Sequence, residues 1–392
     1  MQIPFSKIIC NGNEFEYIKR VINSGWLTTA NFCNEFEKQF AQYVGAKYAC
    51  AVNSCTAALH LAAEALQIKT GDKVFVPSMT FTASAEILRY LNADPVFLDV
   101  EYGTTLLTKE ILEEGIRRYP DVKTIIVVHY AGQSANMTEL LSVCKKYNIK
   151  IIEDAAHAFP TKHNGKFIGT FGDITCFSFY ANKTITTGEG GMITTENEEL
   201  YKRIKIMRLH GINRDIWDRF TSNTAKWEYD VVAPGYKYNM PDINAAIGLA
   251  QLERAEELRY ERQRCAEFYY AHLADVEEID LPVINCKNEE HSWHLFPVVV
   301  NKKSSITRNE IIDTLAANGI GISVHYKPLH RMTYYRDKYN LHPKDFPNTE
   351  RIWQGNISLP IFPSMTEKEL KYIVETIKNI FIMKGNHYER AA

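Results

Sequence analysis

The chain has 392 residues, of which 45% are hydrophobic and 23% are charged, and its formal net charge is −2. This length favours two domains that share a surface, and the composition is typical of a soluble globular protein. The near-neutral charge argues against a nucleic-acid partner and against a basic membrane-binding face.

Targeting signals and metal-binding patterns are both missing from the sequence. No apolar run reaches the roughly 18 residues of a membrane-spanning helix, and the start, MQIPFSKIIC, lacks the basic segment and apolar core of a signal peptide. We therefore expect a cytoplasmic protein with no membrane partner. The eight cysteines include no CxxC pair, and Cys50 and Cys176 lie in apolar runs, so we expect free thiols and no metal site.

From residue 48 onward, predicted strands and helices alternate. This alternation favours a mainly parallel sheet with helices on both faces, in which ligands bind beyond the carboxyl ends of the strands. The predicted elements are helices 13–23 and 35–44, strand 48–52, helix 57–66, strand 73–76, helix 82–91, strand 95–98, helix 109–118, strand 124–128, helix 137–147 and strand 149–152.

Hydroxyl side chains lie at the start of the helix predicted over 57–66. The turn Asn53-Ser54-Cys55-Thr56 joins this helix to the preceding strand. Such residues cap a helix, while the free amide groups and the helix dipole also favour a phosphate. These residues alone leave both interpretations open.

Asp154 and His157 follow the apolar strand predicted over 149–152. A carboxylate just beyond a strand either caps the next segment or pairs with a buried cation. A histidine three residues later is either a hydrogen-bonded core residue or part of a site at the sheet edge.

Lys183 lies in a turn between two β-like runs. The run 174–179 precedes it, and the block Gly188-Glu189-Gly190-Gly191 separates it from the second run. A desolvated lysine has a lowered pKa, and its neutral amine forms Schiff bases with aldehydes. The spacing alone fits an ordinary loop lysine equally well.

The pattern changes after residue 195. A charged helix to about residue 210 precedes the segment 211–234, whose length and lack of periodicity are typical of a lid or binding loop. One long amphipathic helix is expected to reach residue 273 and to join a large domain, 1–250, to a small α+β domain, 251–392. Beyond it we predict strand 295–300, a helix after the capping box Thr307-x-x-Glu310, strands 321–325 and 357–359, and a helix after Thr366-x-x-Glu369.

Nine stretches of this sequence carry a family resemblance: SGWLTT, NSCTAALHLA, VPSMTFTASAE, HYAGQSANM, IEDAAHA, CFSFYANKTITTGEGG, GYKYNMPDINAAIG, HSWHLFPV and VHYKPLH. In this order they resemble the sugar-nucleotide aminotransferases, above all those that aminate a UDP-linked 4-keto sugar in aminoarabinose and pseudaminic acid pathways. The resemblance implies pyridoxal 5′-phosphate (PLP) as cofactor. It also implies the aspartate aminotransferase fold (fold type I), a three-layer α/β/α arrangement with a smaller C-terminal α+β domain. Residues 1–30 would then pack on the small domain or at a dimer interface.

The resemblance also implies a role for each candidate residue. Lys183 would bind PLP covalently and then move a proton between the cofactor and the substrate carbon. Asp154 would keep the pyridine nitrogen protonated, so that the ring accepts electrons. The other implied contacts are Thr56, Ala57 and Ser178 with the phosphate, Phe81 and His157 with the ring, and Tyr180, His325 and His330 with the substrate.

The sequence departs from the family pattern at two places, one at the expected cofactor-phosphate contact and one on the substrate side. Many relatives read GYNYR where this chain reads Gly235-Tyr236-Lys237-Tyr238-Asn239. The phosphate contact that a partner subunit supplies there would come from Lys237 or Asn239. Tyr180 replaces a histidine found in many relatives, which bears on sugar selection and leaves the chemistry of Lys183 intact.

The implied enzyme is a homodimer with shared active sites and a ping-pong reaction. L-Glutamate converts PLP to pyridoxamine 5′-phosphate, 2-oxoglutarate leaves, and a keto-sugar nucleotide accepts the amine, giving an amino sugar for polysaccharide, lipopolysaccharide or glycan biosynthesis. A dTDP- or GDP-linked 3- or 4-keto-6-deoxyhexose is an alternative acceptor. A PLP-dependent sugar dehydratase is disfavoured because those relatives carry histidine in place of Lys183. The intact set of Asp154, Ser178 and Lys183 disfavours a PLP-binding regulator without turnover.

Overall fold

The computed structural model describes residues 1–213, 229–287 and 290–389, with side chains as far as residue 382. Nine strands lie in its first half: β1 (Tyr48–Val52), β2 (Lys73–Pro77), β3 (Asp94–Leu98), β4 (Thr124–Val128), β5 (Lys150–Ala155), β6 (Lys162–His163), β7 (Lys166–Phe167), β8 (Ile174–Ser178) and β9 (Gly191–Thr195). All but β6 and β7 form one sheet in the order β1-β9-β8-β5-β4-β2-β3. Only β9 runs antiparallel to its neighbours, so the predicted mainly parallel sheet is confirmed.

Helices cover both faces of this sheet because successive strand residues point to opposite sides. Ile125 and Ile126, consecutive in β4, lie in two different apolar clusters, each buried under its own set of helices. This arrangement confirms the predicted α/β class with three layers. The helices up to residue 207 are α1 (Glu14–Ser24), α2 (Asn31–Val44), α3 (Cys55–Ala65), α4 (Ala83–Tyr90), α5 (Lys109–Arg118), α6 (Met137–Tyr147) and α7 (Glu198–Met207).

The second half of the chain contains a smaller antiparallel sheet. Its strands lie in the order β10 (Ile279–Asp280), β11 (Phe296–Val300) and β12 (Asn356–Leu359). They pack on a third apolar cluster that includes Trp293, Phe296 and Leu370. Thr307 and Glu310 form the predicted capping box. The elements are α8 (Asp242–Leu252), α9 (Ala255–Leu273), β10 (Ile279–Asp280), β11 (Phe296–Val300), α10 (Arg308–Ala317), α11 (Thr333–Tyr339), α12 (Pro347–Gly355), β12 (Asn356–Leu359) and α13 (Glu367–Glu389).

Two predictions for this part of the chain are wrong. The single long helix to residue 273 is two helices, α8 and α9, separated at Glu253 and Arg254. The strand predicted over 321–325 is reduced to one bridge, between Ser323 and Ser358. The backbone there is divided between two partners, because the amide of Gly321 donates to the carbonyl of Ile3 at 2.8 Å while Ser323 pairs with β12.

The first thirty residues contact both halves of the chain. Ile3 forms a parallel bridge with Ile320, whereas the Gln251 side chain of α8 donates to Glu14 of α1 at 2.5 Å. Among the described helices, none combines the length and hydrophobicity that crossing a membrane requires.

Candidate active site

A cavity of about 440 Å³ opens beyond the carboxyl ends of the central strands. Val128 at the end of β4, Asp154 of β5 and Ser178 at the end of β8 line it. Parallel α/β sheets bind ligands at this edge, because the connections beyond the strand ends converge there. The start of α3 and residues 325–326 complete the wall.

Lys183 projects into this cavity from the connection between β8 and β9. The turn is closed by hydrogen bonds from the amide of Lys183 to the carbonyl of Tyr180, at 2.9 Å, and from the amide of Thr187 to the carbonyl of Phe179, at 3.0 Å. Burial lowers the pKa of Lys183 from 10.5 to about 8, even though the nearby Asp154 favours the charged form. A useful fraction of the amine is therefore neutral and nucleophilic near pH 8.

Asp154 is a second buried ionisable group of the cavity. It lies within β5, paired in register with Cys176 of β8, and not beyond the strand as predicted, because the parallel ladder continues to Ala155. Its Oδ2 accepts from Ser84 Oγ at 2.7 Å and its Oδ1 from the Ala156 amide at 3.1 Å. Burial raises the pKa of Asp154 despite these bonds. A cation on a bound ligand would offset that cost of burial.

The start of α3 forms another part of the cavity wall. This helix begins at Cys55, two residues earlier than predicted, because Ser54 is its N-cap and accepts from the Ala57 amide at 3.1 Å. Ala57 does not line the cavity and its amide is already bonded, so the structure does not favour the phosphate contact expected from it. Cys55 and Thr56 line the cavity, and amides of a first helical turn lack intrahelical partners.

Aromatic rings form the opposite wall. His157 Nδ1 accepts from the Ala131 amide at 3.3 Å, so Nε2 carries the hydrogen and donates to the hydroxyl of Tyr326 at 2.8 Å. Burial lowers the pKa of His157 well below its ordinary value, which keeps the ring neutral. Phe81 is 55% exposed at the cavity mouth, with its ring centroid 5.8 Å from that of Tyr326.

Besides Ala57, three predicted site residues lie outside the cavity of this chain: His330, Lys237 and Asn239. His330 is buried between Ser78 Oγ, 2.5 Å from Nδ1, and Glu350 Oε1, 2.6 Å from Nε2, so the structure does not place it where a sugar nucleotide could reach it. Lys237 is exposed and donates to Asn239 Oδ1. Tyr180 and His325, the other two expected substrate contacts, line the cavity.

Several residues at the site were not predicted, and three of them are His294, Asn182 and Tyr326. His294 Nε2 lies 3.3 Å from Lys183 Nζ, while Asn182 and Tyr326 line the cavity. All three lie in stretches that carried the family resemblance, which are CFSFYANKTITTGEGG for Asn182, HSWHLFPV for His294 and VHYKPLH for Tyr326. A sequence pattern cannot place a side chain 111 positions away next to Lys183, because that contact depends on tertiary packing.

The donor set fits each part of PLP. Asp154 is a carboxylate for a ring cation, Lys183 is an amine for an aldehyde, and the start of α3 together with Ser178 provides donors for a phosphate. Among the described residues, Asn182 Oδ1 is buried without a hydrogen-bond partner, which leaves an acceptor for a ligand group.

Comparison with known proteins gives the same result over the whole chain. Residues 9–378 match the model of the DegT/DnrJ/EryC1/StrS aminotransferase family. The spore coat polysaccharide biosynthesis protein SpsC of Bacillus subtilis is 38% identical over 380 residues, which are 96% of this chain and 97% of SpsC.

Solved structures agree. PseC of Helicobacter pylori, an aminotransferase involved in the biosynthesis of pseudoaminic acid, superposes with a TM-score of 0.90 at 26% identity, covering 98% of this chain and all of PseC. Spr1654 of Streptococcus pneumoniae, described as a candidate sugar aminotransferase, gives 0.90 in its PMP form and 0.89 in its PLP form, both at 32% identity, covering at least 98% of this chain and 99% of Spr1654. This chain belongs to the DegT/DnrJ/EryC1/StrS family and is a PLP-dependent sugar aminotransferase.

Proposed function

We propose that this enzyme transfers an amino group from L-glutamate to a keto-sugar nucleotide, with a UDP-linked 4-keto sugar as the acceptor. The observation that carries the proposal is that Lys183 and Asp154 line one cavity beneath the start of α3. The similarity to PseC and to SpsC supports an amino-sugar product destined for a surface polysaccharide or glycan.

Each group of the cavity has one task in this proposal. Bound PLP carries the amino group between the two substrates and accepts electrons from the reacting carbon. Lys183 Nζ holds the cofactor between turnovers and moves a proton to or from the substrate carbon. Asp154 keeps a proton on the pyridine nitrogen, which its buried carboxylate favours electrostatically. Thr56 and Ser178 hold the phosphate, while Phe81 and His157 flank the ring.

The sugar would lie on the side of Tyr180 and His325. His325 Nδ1 is bonded to Ser358 Oγ at 2.8 Å, which fixes the ring and leaves Nε2 for a substrate hydroxyl. The loop expected to shape the nucleotide pocket, 211–234, lies outside the described residues over 214–228.

We also propose that two chains share each active site. Lys237 lies outside the cavity of its own chain, just before α8. The Asn239 side chain anchors this segment by donating to Thr29 Oγ1 at 2.7 Å. A cationic or amide side chain held in this way suits a phosphate of the partner subunit.

Subunit mixing tests the shared site. A Lys183→Ala chain and a Lys237→Ala/Asn239→Ala chain, each inactive alone, are mixed under conditions that exchange subunits. Half of the dimers are then mixed, and one of the two sites in each carries neither defect, so activity returns to about a quarter of wild type. A mixture that stays inactive, with exchange proven by mass, would show that each site belongs to one chain.

The substrate assignment is tested with a panel of UDP-, dTDP- and GDP-linked 3- and 4-keto sugars, with glutamate as donor. Mass spectrometry and NMR of the products identify the carrier and the aminated carbon. We expect the UDP-linked 4-keto sugars to be converted fastest. Preferred conversion of a dTDP- or GDP-linked 3- or 4-keto-6-deoxyhexose would support the alternative acceptor instead.

A further inference from the structure

His294 contacts Lys183, and the function proposed above gives this contact no role. Its Nε2 lies 3.3 Å from Lys183 Nζ, and the ring is only 4% exposed. The backbone around it is held firmly. The Leu295 amide donates to the carbonyl of Ala131 at 3.1 Å, and the buried guanidinium of Arg262 in α9 reaches the carbonyl of His294 at 3.4 Å.

The polar contacts of this ring differ from those of the neighbouring histidines. His157 bonds the Ala131 amide and Tyr326, His325 bonds Ser358, and His330 bonds Ser78 and Glu350. Their rings are therefore tied to the scaffold. In the described part of the chain, His294 Nδ1 is buried without a hydrogen-bond partner, so Lys183 is the one side chain that the ring bonds.

We propose that His294 is a positioning residue for Lys183, whose neutral imidazole accepts a hydrogen bond from Nζ and aims the amine into the cavity. This role rests on the proposed function of Lys183. Whenever Nζ is not bonded to the cofactor, a lysine with four rotatable bonds would otherwise sample several directions. A fixed acceptor keeps the amine close to the geometry needed for attack.

The ionisation states of His294 and Lys183 determine which of them donates the hydrogen bond. Burial lowers the pKa of His294 well below its ordinary value, so the ring is neutral, and a protonated or neutral Lys183 amine donates to its Nε2. An ammonium is the stronger donor, so the bond favours the charged form of Lys183 and opposes the effect of burial. The other ionisable groups that face this pair are Cys55, Asp154, His157, Arg262 and His325.

The matched variants His294→Gln and His294→Met separate a hydrogen bond from simple packing. Their side chains are similar in length, but only glutamine retains a good acceptor. Cofactor-free protein is mixed with PLP, and the rate of covalent attachment to Lys183 is followed by absorbance as a function of pH. Bound PLP is measured separately by equilibrium binding, and the melting temperature is recorded for each variant.

We expect the methionine variant to attach PLP about tenfold more slowly than wild type, the effect of about one hydrogen bond. The midpoint of its pH profile should move to lower pH, because the bond that favoured the ammonium is lost. The glutamine variant should stay within about threefold of wild type. Equal rates for methionine and wild type, or equal slowing in both variants, would overturn the proposal.

A measurement on the native protein covers the case in which the variants do not fold. NMR of ¹⁵N-histidine-labelled cofactor-free protein should show His294 as the neutral ring with the hydrogen on Nδ1. A hydrogen on Nε2 would contradict the proposed acceptor. Covalent attachment that persists in Lys183→Ala would instead refute the proposed function, so the two failures are distinguishable.

Discussion

Glu153 and Asp154 are consecutive residues of β5, yet the regions around them differ completely. Glu153 is fully buried and its two oxygens accept from His129 Nε2 at 2.9 Å, Thr175 Oγ1 at 2.7 Å and the Gly172 amide at 2.7 Å. Asp154 has two bonds and faces the cavity. The strand turns them to opposite sides, because side chains alternate along it.

The ionisation of the two carboxyl groups follows this difference. Burial raises the pKa of Glu153, but the hydrogen bonds from His129 and its neighbours outweigh burial and lower it overall. For Asp154, burial outweighs the bonds and the pKa is raised. A carboxylate satisfied by the protein holds the fold together, whereas one left short of partners is available to a ligand cation.

The largest expected effect comes from the cavity side, in Lys183→Ala. Loss of the amine should reduce turnover by at least about a thousandfold, because under the proposed function it removes both the covalent link to PLP and the proton carrier. PLP should still bind noncovalently. Lys202→Ala, at an exposed lysine of α7, is the matched control and should keep wild-type rates. Turnover by Lys183→Ala near the wild-type rate would refute the assignment.

Asp154→Asn should have the next largest effect. The substitution keeps the shape of the side chain but removes the charge that, in the proposed function, holds a proton on the pyridine nitrogen. A buried charge interaction of about 3 kcal/mol corresponds to about a hundredfold in rate. The melting temperature should change little, since the asparagine oxygen still accepts from the Ala156 amide while its NH2 group donates to Ser84 Oγ, whose hydroxyl can turn to Thr80. If stability fell while turnover was retained, Asp154 would be a structural cap.

Glu153→Gln should show the reverse behaviour. His129 Nδ1 accepts from the Ala135 amide at 3.1 Å, so its Nε2–H would meet the new amide group of the glutamine. Two donors facing each other in the interior should lower the free energy of unfolding by about 2–4 kcal/mol. Chemical denaturation measures this loss, and turnover of the folded fraction should stay near wild type. A large loss of turnover without a loss of stability would show that Glu153 serves catalysis and not the stability of the fold.

The smallest expected effect is a pH dependence of cofactor attachment. Burial lowers the pKa of Lys183 from 10.5 to about 8, and only the neutral amine attacks an aldehyde. The attachment rate should therefore rise about tenfold per pH unit up to about pH 8 and level off above it. Stopped-flow absorbance with cofactor-free protein measures the profile. A rate that keeps rising to pH 10 would mean that Lys183 is not desolvated.

The sheet was more predictable than the site. The strands 48–52 and 124–128 were predicted with the bounds that the structure has, because buried parallel strands are short apolar runs between turns. The strand predicted over 321–325 was wrong because its backbone bonds Ile3 through Gly321 and β12 through Ser323, without a continuous ladder to either. Local patterns carry no information about such divided pairing.

Site residues from the sheet edge were predicted, and those from distant segments were only partly predicted. Asp154 lies near the end of β5, Ser178 ends β8 and Lys183 follows it, and parallel sheets bind ligands at these strand ends. His294 reaches Lys183 from 111 positions away, and no periodicity marks that contact. His330 was predicted from its motif to contact the substrate, but it is buried against Ser78 and Glu350. The histidine-rich stretches therefore contained one residue that was not predicted, His294, and one that lies away from the cavity, His330.

The most direct test of the central claim is to trap the cofactor on its lysine. Purified enzyme with bound PLP is reduced with borohydride, which makes a PLP–lysine link permanent, and is then digested and analysed by tandem mass spectrometry. We predict that the pyridoxyl group is found on Lys183, in stoichiometric amount and in no other peptide. A stoichiometric label on a different lysine, with Lys183 unmodified, would contradict the account.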